Sequence, residues 1–351
     1  MNSYRLTAFG KPLEYSDTPT PQPHGPEVLL KVIASGICHS DVHIWEGGYD
    51  LGHGEMFRLG ERGGVSLPLT LGHEIAGVAL EAGPDSSGVK RDRQYLVFPW
   101  IGCGKCAVCG AGDEHYCGRP RSLGIYRDGG YSDYVLVPDS RYLLELDGLD
   151  PVAAAPYACS GLTAYSALKK AGELIHKEPI AIIGAGGLGL MSVGILKALE
   201  GAGAVMIDID EQKRQAALAA GAIAAVDSQS SDAASQIARA AGGKPRFVVD
   251  FVGSEHTAAL SFSAVAKGGK IINVGLFGGA APWSLPLIPL KAVTIQGSYV
   301  GNLAELKELL ALVLRKRVPS MPITRAPLEH ANEMLDSLRQ GKVVGRTVLT
   351  P

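Results

Sequence analysis

From about residue 179 onward, short apolar runs alternate with helical patterns, and this alternation restricts the fold more than any other property of the chain. The runs IAIIG, AVMID, AIAAVD, RFVVDFVG and KIINVG are separated by stretches such as DEQKRQAALAAG and SDAASQIARAAGG. A repeated order of strand, helix and strand is typical of a parallel sheet with helices on both faces. The sequence therefore predicts a doubly wound α/β domain in this region.

The first of these runs belongs to an uncharged segment of 18 residues, PIAIIGAGGLGLMSVGIL at 179–196, which has the length of a membrane span. Its glycines and its β-like opening fit a buried strand, a turn and a helix better than a single transmembrane helix. The N-terminus MNSYRLTAFGKPLEYSD lacks the basic end and apolar run of a secretory signal. We therefore expect a cytoplasmic protein.

The turn after this strand has the sequence GAGGLG, a G-x-G-x-x-G pattern between a strand and a helix. Gly184 permits the tight turn, Gly186 lets the backbone approach a pyrophosphate, and Gly189 allows close packing of the helix. The N-terminus of the helix favours the anion. The pattern predicts a dinucleotide site that includes Gly184, Gly186, Gly187, Leu188 and Gly189.

An acidic residue, Asp208, ends the next predicted strand, 19 residues beyond Gly189. A carboxylate at this place would bind the ribose hydroxyls of the adenosine and repel a 2′-phosphate. The sequence therefore favours NAD over NADP. The alternative is that Asp208 only caps the helix that begins within IDEQKRQ.

The size and charge of the chain exclude some classes of protein. Its 351 residues suggest two domains, and its 46% hydrophobic and 19% charged residues describe a core-forming protein. The net charge of -2 and the pI near 6.5 provide no electrostatic field that would collect polyanions. We therefore expect neither nucleic acid nor a membrane as a partner.

The cysteines suggest metal binding, because clustered cysteines in a large reduced protein are more often metal ligands than disulfides. Four of them lie within 15 residues in CGKCAVCGAGDEHYC, with the spacing C-x2-C-x2-C-x7-C. A loop of this kind can wrap one tetrahedral Zn²⁺ in a closed structural site, and two local disulfides are the alternative. We expect His115, within this loop, to be exposed. The predicted ligands are Cys103, Cys106, Cys109 and Cys117.

Two cysteines, Cys38 and Cys159, remain outside this loop. A catalytic zinc has three protein ligands and one exchangeable position, so one histidine is needed beside them. His73 in PLTLGHEIAG is the candidate, and Glu74 could hydrogen-bond within the site or ligate the metal transiently. Alternatively, His73 is a hydrogen-bonded core residue. Two other histidines lie closer to Cys38 in the sequence and compete for this role, namely His39 and His43.

Together, these motifs make the chain resemble the zinc-dependent medium-chain alcohol dehydrogenase family. The resemblance spans essentially the whole chain and follows its order through GICHSDVH, LGHEIAGV, GCGKCAVCGAGDEHYC, YSDYVLVP, PYACSGLTAYSAL, IIGAGGLGLMSVGILKAL, IDIDEQKR and VVGRTVL. It implies a GroES-like β-rich catalytic domain with the structural zinc lobe at 1–150, a Rossmann NAD-binding domain at 151–295, and a return segment at 296–351 that completes the catalytic domain.

The implied activity is the interconversion of primary or secondary alcohols with aldehydes or ketones by hydride transfer to or from NAD. The resemblance also implies two zinc ions per chain, one structural and one catalytic. The catalytic ion would be held by Cys38, His73 and Cys159, with Glu74 as a close or alternative ligand. Asp41 would orient His73.

Further residues receive roles by the same resemblance. Ser40 stands where the family places the hydroxyl that touches the alcohol oxygen, and His43 stands where a proton relay to solvent ends. The alternatives are that Ser40 is a turn or N-cap residue and that His43 is a solvated histidine. The residues implied to contact the cofactor are His39 and Arg346 at the pyrophosphate, Thr163, Val274 and Leu276 at the nicotinamide, and Lys213 at the adenosine ribose.

The chain departs from the family pattern at GGYDLGHGEMFRLGERGGVSLP, residues 47–68, which is longer than the usual link. Seven glycines and the lack of periodicity predict a loop. Our hypothesis is that it covers part of the substrate entrance, the alternative being a surface loop without function. Trp45, Trp100, Ile101 and Tyr126 are expected to form pocket walls suited to a medium-sized or aromatic alcohol.

Other functions stay open from the sequence. One is a different zinc dehydrogenase reaction, such as polyol, threonine or glutathione-adduct oxidation. Another is a noncatalytic zinc module that uses the four-cysteine loop to hold a partner. The family resemblance implies a homo-oligomer, either a tetramer or a dimer, with a small-molecule substrate.

Overall fold

The computed structural model of the protein describes residues 1–62, 64–316, 318 and 321–351. Position 63 of the predicted 47–68 loop and positions 317, 319 and 320 of the predicted return segment lie outside the described residues. In chain order the strands are β1 (Asn2–Leu6), β2 (Glu14–Asp17), β3 (Val28–Gly36), β4 (Gly48–Gly52), β5 (Glu55–Arg58), β6 (Leu69–Thr70), β7 (Glu74–Ala82), β8 (Gln94–Val97), β9 (Tyr134–Val137), β10 (Leu143–Glu145), β11 (Ile180–Ile183), β12 (Ala204–Asp208), β13 (Ala224–Asp227), β14 (Phe247–Asp250), β15 (Lys270–Asn273), β16 (Thr294–Gly297), β17 (Ile323–Pro327) and β18 (Arg346–Thr350). The α-helices are α1 (His39–Glu46), α2 (Leu59–Arg62), α3 (Ala107–Gly110), α4 (Pro151–Ala154), α5 (Ser160–Lys169), α6 (Leu174–Lys177), α7 (Gly187–Ala198), α8 (Glu211–Ala220), α9 (Ala233–Ala240), α10 (Glu255–Ala264), α11 (Leu287–Lys291), α12 (Leu303–Lys316) and α13 (Ala331–Arg339).

Strands β11 to β16 form a parallel sheet in the spatial order β13-β12-β11-β14-β15-β16. Every residue of β11 and of β14 is buried, as expected for central strands covered on both faces. The order reverses between these two strands. In such sheets, ligands bind in the crevice beyond the carboxyl ends of the strands at that switch. Ile183 and Asp250 end the two strands and are register partners.

The helices of this region have the local signals that their sequences suggest. Helix α8 begins after Asp210, whose side chain accepts a hydrogen bond from the backbone N–H of Lys213, and it ends at Gly221 in the left-handed conformation. Helix α12 buries one apolar face and packs beside α5 and α7.

A second sheet contains five of the first ten strands together with the last two, in the order β10-β8-β7-β3-β18-β17, with β9 also paired to β3. The C-terminal strand β18 pairs antiparallel with β3, so the end of the chain returns to the first part of the fold. The backbone N–H of Ile37 donates to Thr347 O at 2.9 Å, and Arg346 Nη1 donates to Ile37 O at 3.0 Å. This pairing brings Arg346 next to the segment that carries Cys38. A smaller sheet has the order β2-β1-β6.

The predicted α/β class with a doubly wound parallel sheet is confirmed by this topology. The boundary predicted after residue 295 falls inside β16, which extends to Gly297. The uncharged segment 179–196 forms β11, the glycine turn and most of α7. Within the described part of the chain, no helix combines the length and apolar character needed to cross a membrane.

The prediction of an irregular loop at 47–68 is wrong for much of the segment. Strands β4 and β5 form an antiparallel hairpin in which Tyr49 faces Phe57, and α2 follows directly. The turn of the hairpin has positive φ values of 84° at Gly52, 55° at His53 and 80° at Gly54. Glycine adopts positive φ readily, so the glycines on either side of His53 allow this turn. The two strands are short and do not alternate regularly between apolar and polar residues, so the sequence pattern does not reveal them.

Candidate active site and metal centres

The side chains of Cys38, His73 and Cys159 converge although they come from three distant parts of the chain. Cys38 is the N-cap of α1, His73 directly precedes β7, and Cys159 directly precedes α5. All three residues are buried, and their ligand atoms lie within 4.8 Å of one another. The two Sγ atoms are 3.9 Å apart. One metal ion could therefore contact all three side chains.

The orientation of the His73 ring leaves one nitrogen available. Its Nδ1 lies 3.2 Å from Asp41 Oδ1, and both side chains are fully buried. Its Nε2 is also buried and has no hydrogen-bond partner among the described residues. An imidazole that donates from Nδ1 to a carboxylate presents an Nε2 lone pair, which is the usual arrangement for a zinc ligand. The alternative of an ordinary hydrogen-bonded core histidine does not account for the unpartnered Nε2.

The donor set fits zinc. Two thiolates and one imidazole are the ligands that a tetrahedral catalytic zinc site uses when its fourth position is kept for exchange. Glu74 does not join these three atoms: its Oε1 accepts from the backbone N–H of Ser160 at 3.1 Å and lies 3.0 Å from Arg346 Nη2. The metal-ligand role of Glu74 therefore stays a prediction.

The electrostatics of the pocket favour an ionised sulfur at Cys38. The pKa of Cys38 is lowered well below its ordinary value, first by a hydrogen bond with Cys159 and then by the charge of Arg346, although burial raises it. The same hydrogen bond and burial raise the pKa of Cys159 well above its ordinary value. Burial alone would lower the pKa of His73, but the Asp41 carboxylate raises it well above the usual range.

The buried pair of Glu74 and Arg346 lies behind this pocket. Burial raises the pKa of Glu74 to about 7, while the guanidinium beside it lowers it. Arg346 reaches toward the glycine turn as well, because a Cβ placed on Gly187 would come 3.3 Å from its Nη2. Its position next to the first turn of α7 is compatible with the predicted contact to a pyrophosphate.

The four-cysteine loop forms a second centre near the protein surface. Its four Sγ atoms lie within 4.8 Å of one another, and all six cysteines of the chain are free thiols, so the alternative of local disulfides is wrong. Cys117 Sγ accepts hydrogen bonds from the backbone N–H groups of Cys103 at 3.3 Å and Arg119 at 3.4 Å. Four thiolates in this geometry match a closed zinc site with no exchangeable position.

The buried carboxylate of Glu114 stabilises this loop through hydrogen bonds. Glu114 Oε2 accepts from the backbone N–H of Gly102 at 2.9 Å and from the hydroxyl of Tyr142 at 2.7 Å. Arg141 lies 3.1 Å from the other oxygen of Glu114. The expectation of an exposed His115 is wrong, since the residue is only 9% exposed and its ring lies 3.8 Å from that of Tyr116. The turn at Glu114–Tyr116 folds it inward.

The glycine turn after β11 has the geometry that its sequence predicts. Gly184 has a φ of 97°, and a Cβ on Gly189 would come 1.9 Å from Gly184 O, so only glycine fits at position 189. Gly186 is the N-cap of α7, and no atom lies within 4 Å of a Cβ placed there. The space above Gly186 is therefore open to a ligand.

Asp208 lies at the carboxyl end of β12, beside this turn. Its Oδ2 accepts from the backbone N–H of Ala185 at 2.7 Å, and its Oδ1 accepts from that of Asp210 at 2.9 Å. The alternative that Asp208 caps the next helix is wrong, because Asp210 is the N-cap of α8. Asp208 thus connects the glycine turn to the start of α8, where Lys213 lies half-buried.

The two residues assigned to proton transfer lie on α1. Ser40 Oγ is 3.9 Å from Cys38 Sγ, and Ser40 lies inside the helix, so the alternative that it is the N-cap is wrong. His43 is half-buried, with its ring 5.1 Å from that of Tyr49 on the hairpin. Burial lowers the pKa of His43, although Glu46 and Cys38 oppose this shift.

The residues expected near the nicotinamide border the same cleft. Thr163 lies in α5, and its buried Oγ1 has no hydrogen-bond partner in the described part of the chain. Val274 follows β15 and donates its backbone N–H to Asp250 O at 2.9 Å. Leu276 is 43% exposed. His39, at the first turn of α1, has its ring 6.1 Å from that of Phe277.

Aromatic rings surround the three-ligand site. Trp100 is buried with its ring 5.3 Å from that of His73, and Tyr299 lies 5.9 Å from Trp100 on the other side. Trp45 does not form the expected pocket wall: its Nε1 donates to Lys11 O, and its ring lies under the guanidinium of Arg339. Trp45 lies on the side of α1 that packs against α13, so its ring points toward α13 and not toward the three-ligand site.

Three features of the site have no clear signal in the sequence. They are the hydroxyl of Tyr131, which donates to Asp41 Oδ2 at 3.1 Å, the ion pair of Glu74 with Arg346, and the hairpin that brings Tyr49 to His43. Each depends on a contact between distant segments. The sequence GGY at 129–131, before β9, indicates that the backbone there lies close to another segment, but it does not identify that segment.

Comparison with known proteins agrees with this geometry. Residues 24–147 match the model of the alcohol dehydrogenase GroES-like domain, and residues 187–315 match that of the zinc-binding dehydrogenase. An NAD-dependent alcohol dehydrogenase of Sulfurisphaera tokodaii is 43% identical over 353 aligned positions and one of Saccharolobus solfataricus is 41% identical, each covering 100% of both chains. The crystal structure of the alcohol dehydrogenase of Aeropyrum pernix has a TM-score of 0.90 at 30% identity, also over 100% of both chains.

The chain therefore belongs to the zinc-dependent medium-chain alcohol dehydrogenase family. Within that family it combines the GroES-like sheet and the dinucleotide-binding sheet in one chain.

Proposed function

We propose that the protein is an NAD-linked, zinc-dependent alcohol dehydrogenase whose catalytic centre is the pocket of Cys38, His73 and Cys159. The observation that carries this assignment is the convergence of the three ligand atoms, with the buried Nε2 of His73 unpartnered within the described residues. When bound, zinc supplies Lewis acidity for a substrate oxygen, and NAD supplies the hydride acceptor. The residues of the chain hold both groups and move the proton.

In this proposal, Ser40 and His43 handle the proton of the alcohol. Ser40 Oγ lies 3.9 Å from Cys38 Sγ, and it would take the proton of the alcohol at the substrate end while releasing its own hydroxyl proton in the direction of His43. The imidazole of His43, farther along α1, would hold the proton at the end nearer to solvent, because imidazole is the side chain that most often serves as a general base. The lowered pKa of His43 keeps the ring neutral, and so able to accept a proton, at pH 7.

The proposed cofactor position follows the crevice from the glycine turn to α5. The pyrophosphate would lie over Gly186 at the start of α7, between His39 and Arg346. The adenosine ribose would lie at Asp208 and Lys213, where the carboxylate disfavours a 2′-phosphate. The nicotinamide would lie next to Thr163, with Val274 and Leu276 on its other side. The hydroxyl of Thr163, which has no hydrogen-bond partner among the residues that the structure describes, supports this arrangement.

We propose that the hairpin β4–β5 forms one wall of the substrate entrance. Strand β4 contacts the loop after β15, because the backbone N–H of Gly279 donates to Asp50 O at 3.2 Å. Its first strand brings Tyr49 to His43, beside the site. Together with Trp100 and Tyr299, this wall suits a medium-sized or aromatic alcohol.

Deletion of residues 50–62 tests the role of the hairpin. We expect kcat/KM to change unequally for small and large alcohols, because the wall on one side of the cleft would be removed. If the deletion variant and the intact enzyme have the same kcat/KM for each alcohol of the series, the hairpin is only a surface feature.

We propose that the protein is a homo-oligomer in which β16 takes part. This strand is the last in the parallel sheet, and its outer edge has no partner strand among the described residues. The neighbouring residues Leu285 and Leu290 are 76% and 67% exposed. We expect Leu290→Asp to lower the molecular mass measured by analytical ultracentrifugation. An unchanged mass would reject this interface.

A cytoplasmic location is also proposed, supported by the six free cysteines.

The main assignment is tested by metal analysis of the purified protein, combined with initial rates. We expect zinc in both cysteine-containing centres, preference for NAD over NADP, and NADH formation with primary, secondary or aromatic alcohols. Activity confined to a polyol, to threonine or to a glutathione adduct would move the protein to another zinc dehydrogenase reaction. Absence of NADH formation with the whole panel would reject the dehydrogenase assignment.

A further inference from the structure

The carboxylate of Asp41 makes hydrogen bonds in four directions behind the three-ligand site. Its Oδ2 accepts from the backbone N–H of Cys38 at 2.8 Å and from the hydroxyl of Tyr131 at 3.1 Å. Its Oδ1 lies 3.2 Å from His73 Nδ1 and accepts from the backbone N–H of Gly72 at 3.3 Å. An ionised carboxylate offers about four acceptor positions, so this residue is fully used.

One of these donors comes from a distant segment. Tyr131 is separated from Asp41 by 90 positions, and it is fully buried. The other three groups belong to the segments that already carry Cys38 and His73. The phenol is therefore the single donor to Asp41, among the described residues, that ties the carboxylate to a part of the fold outside the ligand segments.

The ring of Tyr131 is fixed in place from two sides. Its backbone N–H donates to Leu71 O at 3.0 Å, and its carbonyl accepts from the N–H of Tyr4 at 2.9 Å. The ring lies directly on Gly72: a Cβ placed on this glycine would come 2.5 Å from Cδ1 of the tyrosine. Gly72 has a φ of 92°, so glycine serves both the backbone conformation and the space for the ring. The ring so placed directs its hydroxyl to Asp41 Oδ2.

We propose that Tyr131 is a positioning residue for the catalytic metal, acting through Asp41 to hold the His73 ring with Nε2 toward Cys38 and Cys159. The proposal rests on the metal-binding role proposed above for the three-ligand site. Loss of the hydroxyl would leave Asp41 hydrogen-bonded only to the segments that carry Cys38 and His73. Outer partners of a histidine ligand typically affect metal affinity by about 10- to 100-fold.

Tyr131→Phe is the direct test, because the phenyl ring still fills the space above Gly72 and only the hydroxyl is lost. We expect release of the catalytic zinc to a competing chelator at about 10- to 100-fold lower chelator activity than in the unchanged protein. The zinc of the four-cysteine loop should be retained. In the cobalt-substituted protein, the absorption bands of the three-ligand site should shift, which a change in overall stability alone would not cause.

Two matched tyrosines serve as controls. Tyr95 is buried, and its hydroxyl hydrogen-bonds to the backbone of Lys90, accepting from the N–H at 2.9 Å, and not to a residue that contacts a metal ligand, so Tyr95→Phe should release zinc like the unchanged protein. Tyr142 donates to Glu114 below the four-cysteine loop. Tyr142→Phe should therefore weaken the structural zinc and leave the cobalt bands of the three-ligand site unchanged.

A double-mutant cycle decides whether Tyr131 acts through Asp41. Against an Asp41→Ala background, Tyr131→Phe should cause no further loss of zinc affinity. An equal loss in both backgrounds, or unchanged zinc release and cobalt spectrum in Tyr131→Phe alone, would overturn the proposal while leaving the dehydrogenase assignment intact. If the unchanged protein holds zinc only in the four-cysteine loop, the assignment of the active site fails first, and the role of Tyr131 fails with it.

Discussion

The two metal centres proposed for this protein are built in opposite ways. The four cysteines of one centre lie within a single loop near the surface, and neighbouring backbone N–H groups donate to Cys117. The other centre takes one ligand from each of three distant segments, all fully or nearly buried. The first group offers four sulfurs, whereas the second offers two sulfurs and one ring nitrogen and would leave a fourth position for exchange. Local assembly suits stabilisation, and assembly across the fold suits catalysis.

The sharpest way to break this comparison is Cys38→Ser. We expect kcat for alcohol oxidation to fall by at least about 10³-fold, because zinc contributes several kcal/mol of transition-state stabilisation. Near-ultraviolet circular dichroism should remain that of the folded protein, since serine replaces one sulfur by oxygen and leaves the other core side chains unchanged. Rates within tenfold of the unchanged enzyme would mean that the three-ligand site is not catalytic.

The matched change in the other centre is Cys106→Ser. We expect the main loss in stability, because a structural zinc contributes folding free energy directly. A loss of a few kcal/mol would lower Tm by about 5–10 °C, as followed by scanning calorimetry. The kcat per folded molecule should stay close to that of the unchanged protein at low temperature. Loss of activity with an unchanged Tm would contradict the assignment of stability to the four-cysteine loop and of catalysis to the three-ligand site.

Proton transfer should depend on the three-ligand site and not on the four-cysteine loop. His43→Gln is expected to reduce kcat by roughly 10²-fold, the lower end for a group in general acid–base catalysis. Because burial lowers the pKa of His43 below its ordinary 6.5, the neutral ring is present at pH 7 and gains a proton only at lower pH. In the unchanged enzyme, kcat/KM for alcohol oxidation should therefore fall only as the pH drops below about 6.5.

The pH profiles of variants at the two centres then separate their roles. Cys106→Ser should keep the acidic decline of kcat/KM, whereas His43→Gln should lose it. An acidic decline of the same shape in His43→Gln would assign the titration to another group and would remove His43 from the relay.

The smallest expected effect concerns the choice of cofactor. Asp208→Asn keeps an oxygen that can accept from the N–H of Ala185 but removes the negative charge. We expect the ratio of kcat/KM for NAD to that for NADP to fall about tenfold, equivalent to about 1.4 kcal/mol. The zinc content of both centres should not change. An unaltered cofactor ratio would show that the discrimination arises elsewhere in the crevice.

The same contrast explains what could be predicted from the sequence. The four-cysteine loop is visible because its ligands and its spacing are local. The glycine turn is visible for the same reason, and its strand and helix follow in order. Cys38 and Cys159 could be selected as the remaining cysteines, whereas the choice of His73 over His39 and His43 depended on the family resemblance.

Contacts between distant segments were beyond such reasoning. Tyr131 and Asp41 are joined only when the sheet places the turn before β9 against the segment before β7. The direction of the Trp45 ring depends on how α1 packs on α13, which no local pattern reveals. The hairpin at β4–β5 was missed because its strands are short and its turn is a glycine-flanked histidine rather than a common two-residue turn.

The most direct test of the account is a crystal structure of the purified protein with anomalous diffraction recorded at the zinc absorption edge. We predict one peak within about 2.0–2.3 Å of Cys38 Sγ, His73 Nε2 and Cys159 Sγ, and another inside the four-cysteine loop. A peak in the loop together with empty density among those three side chains, in protein that oxidises alcohols, would contradict the central claim.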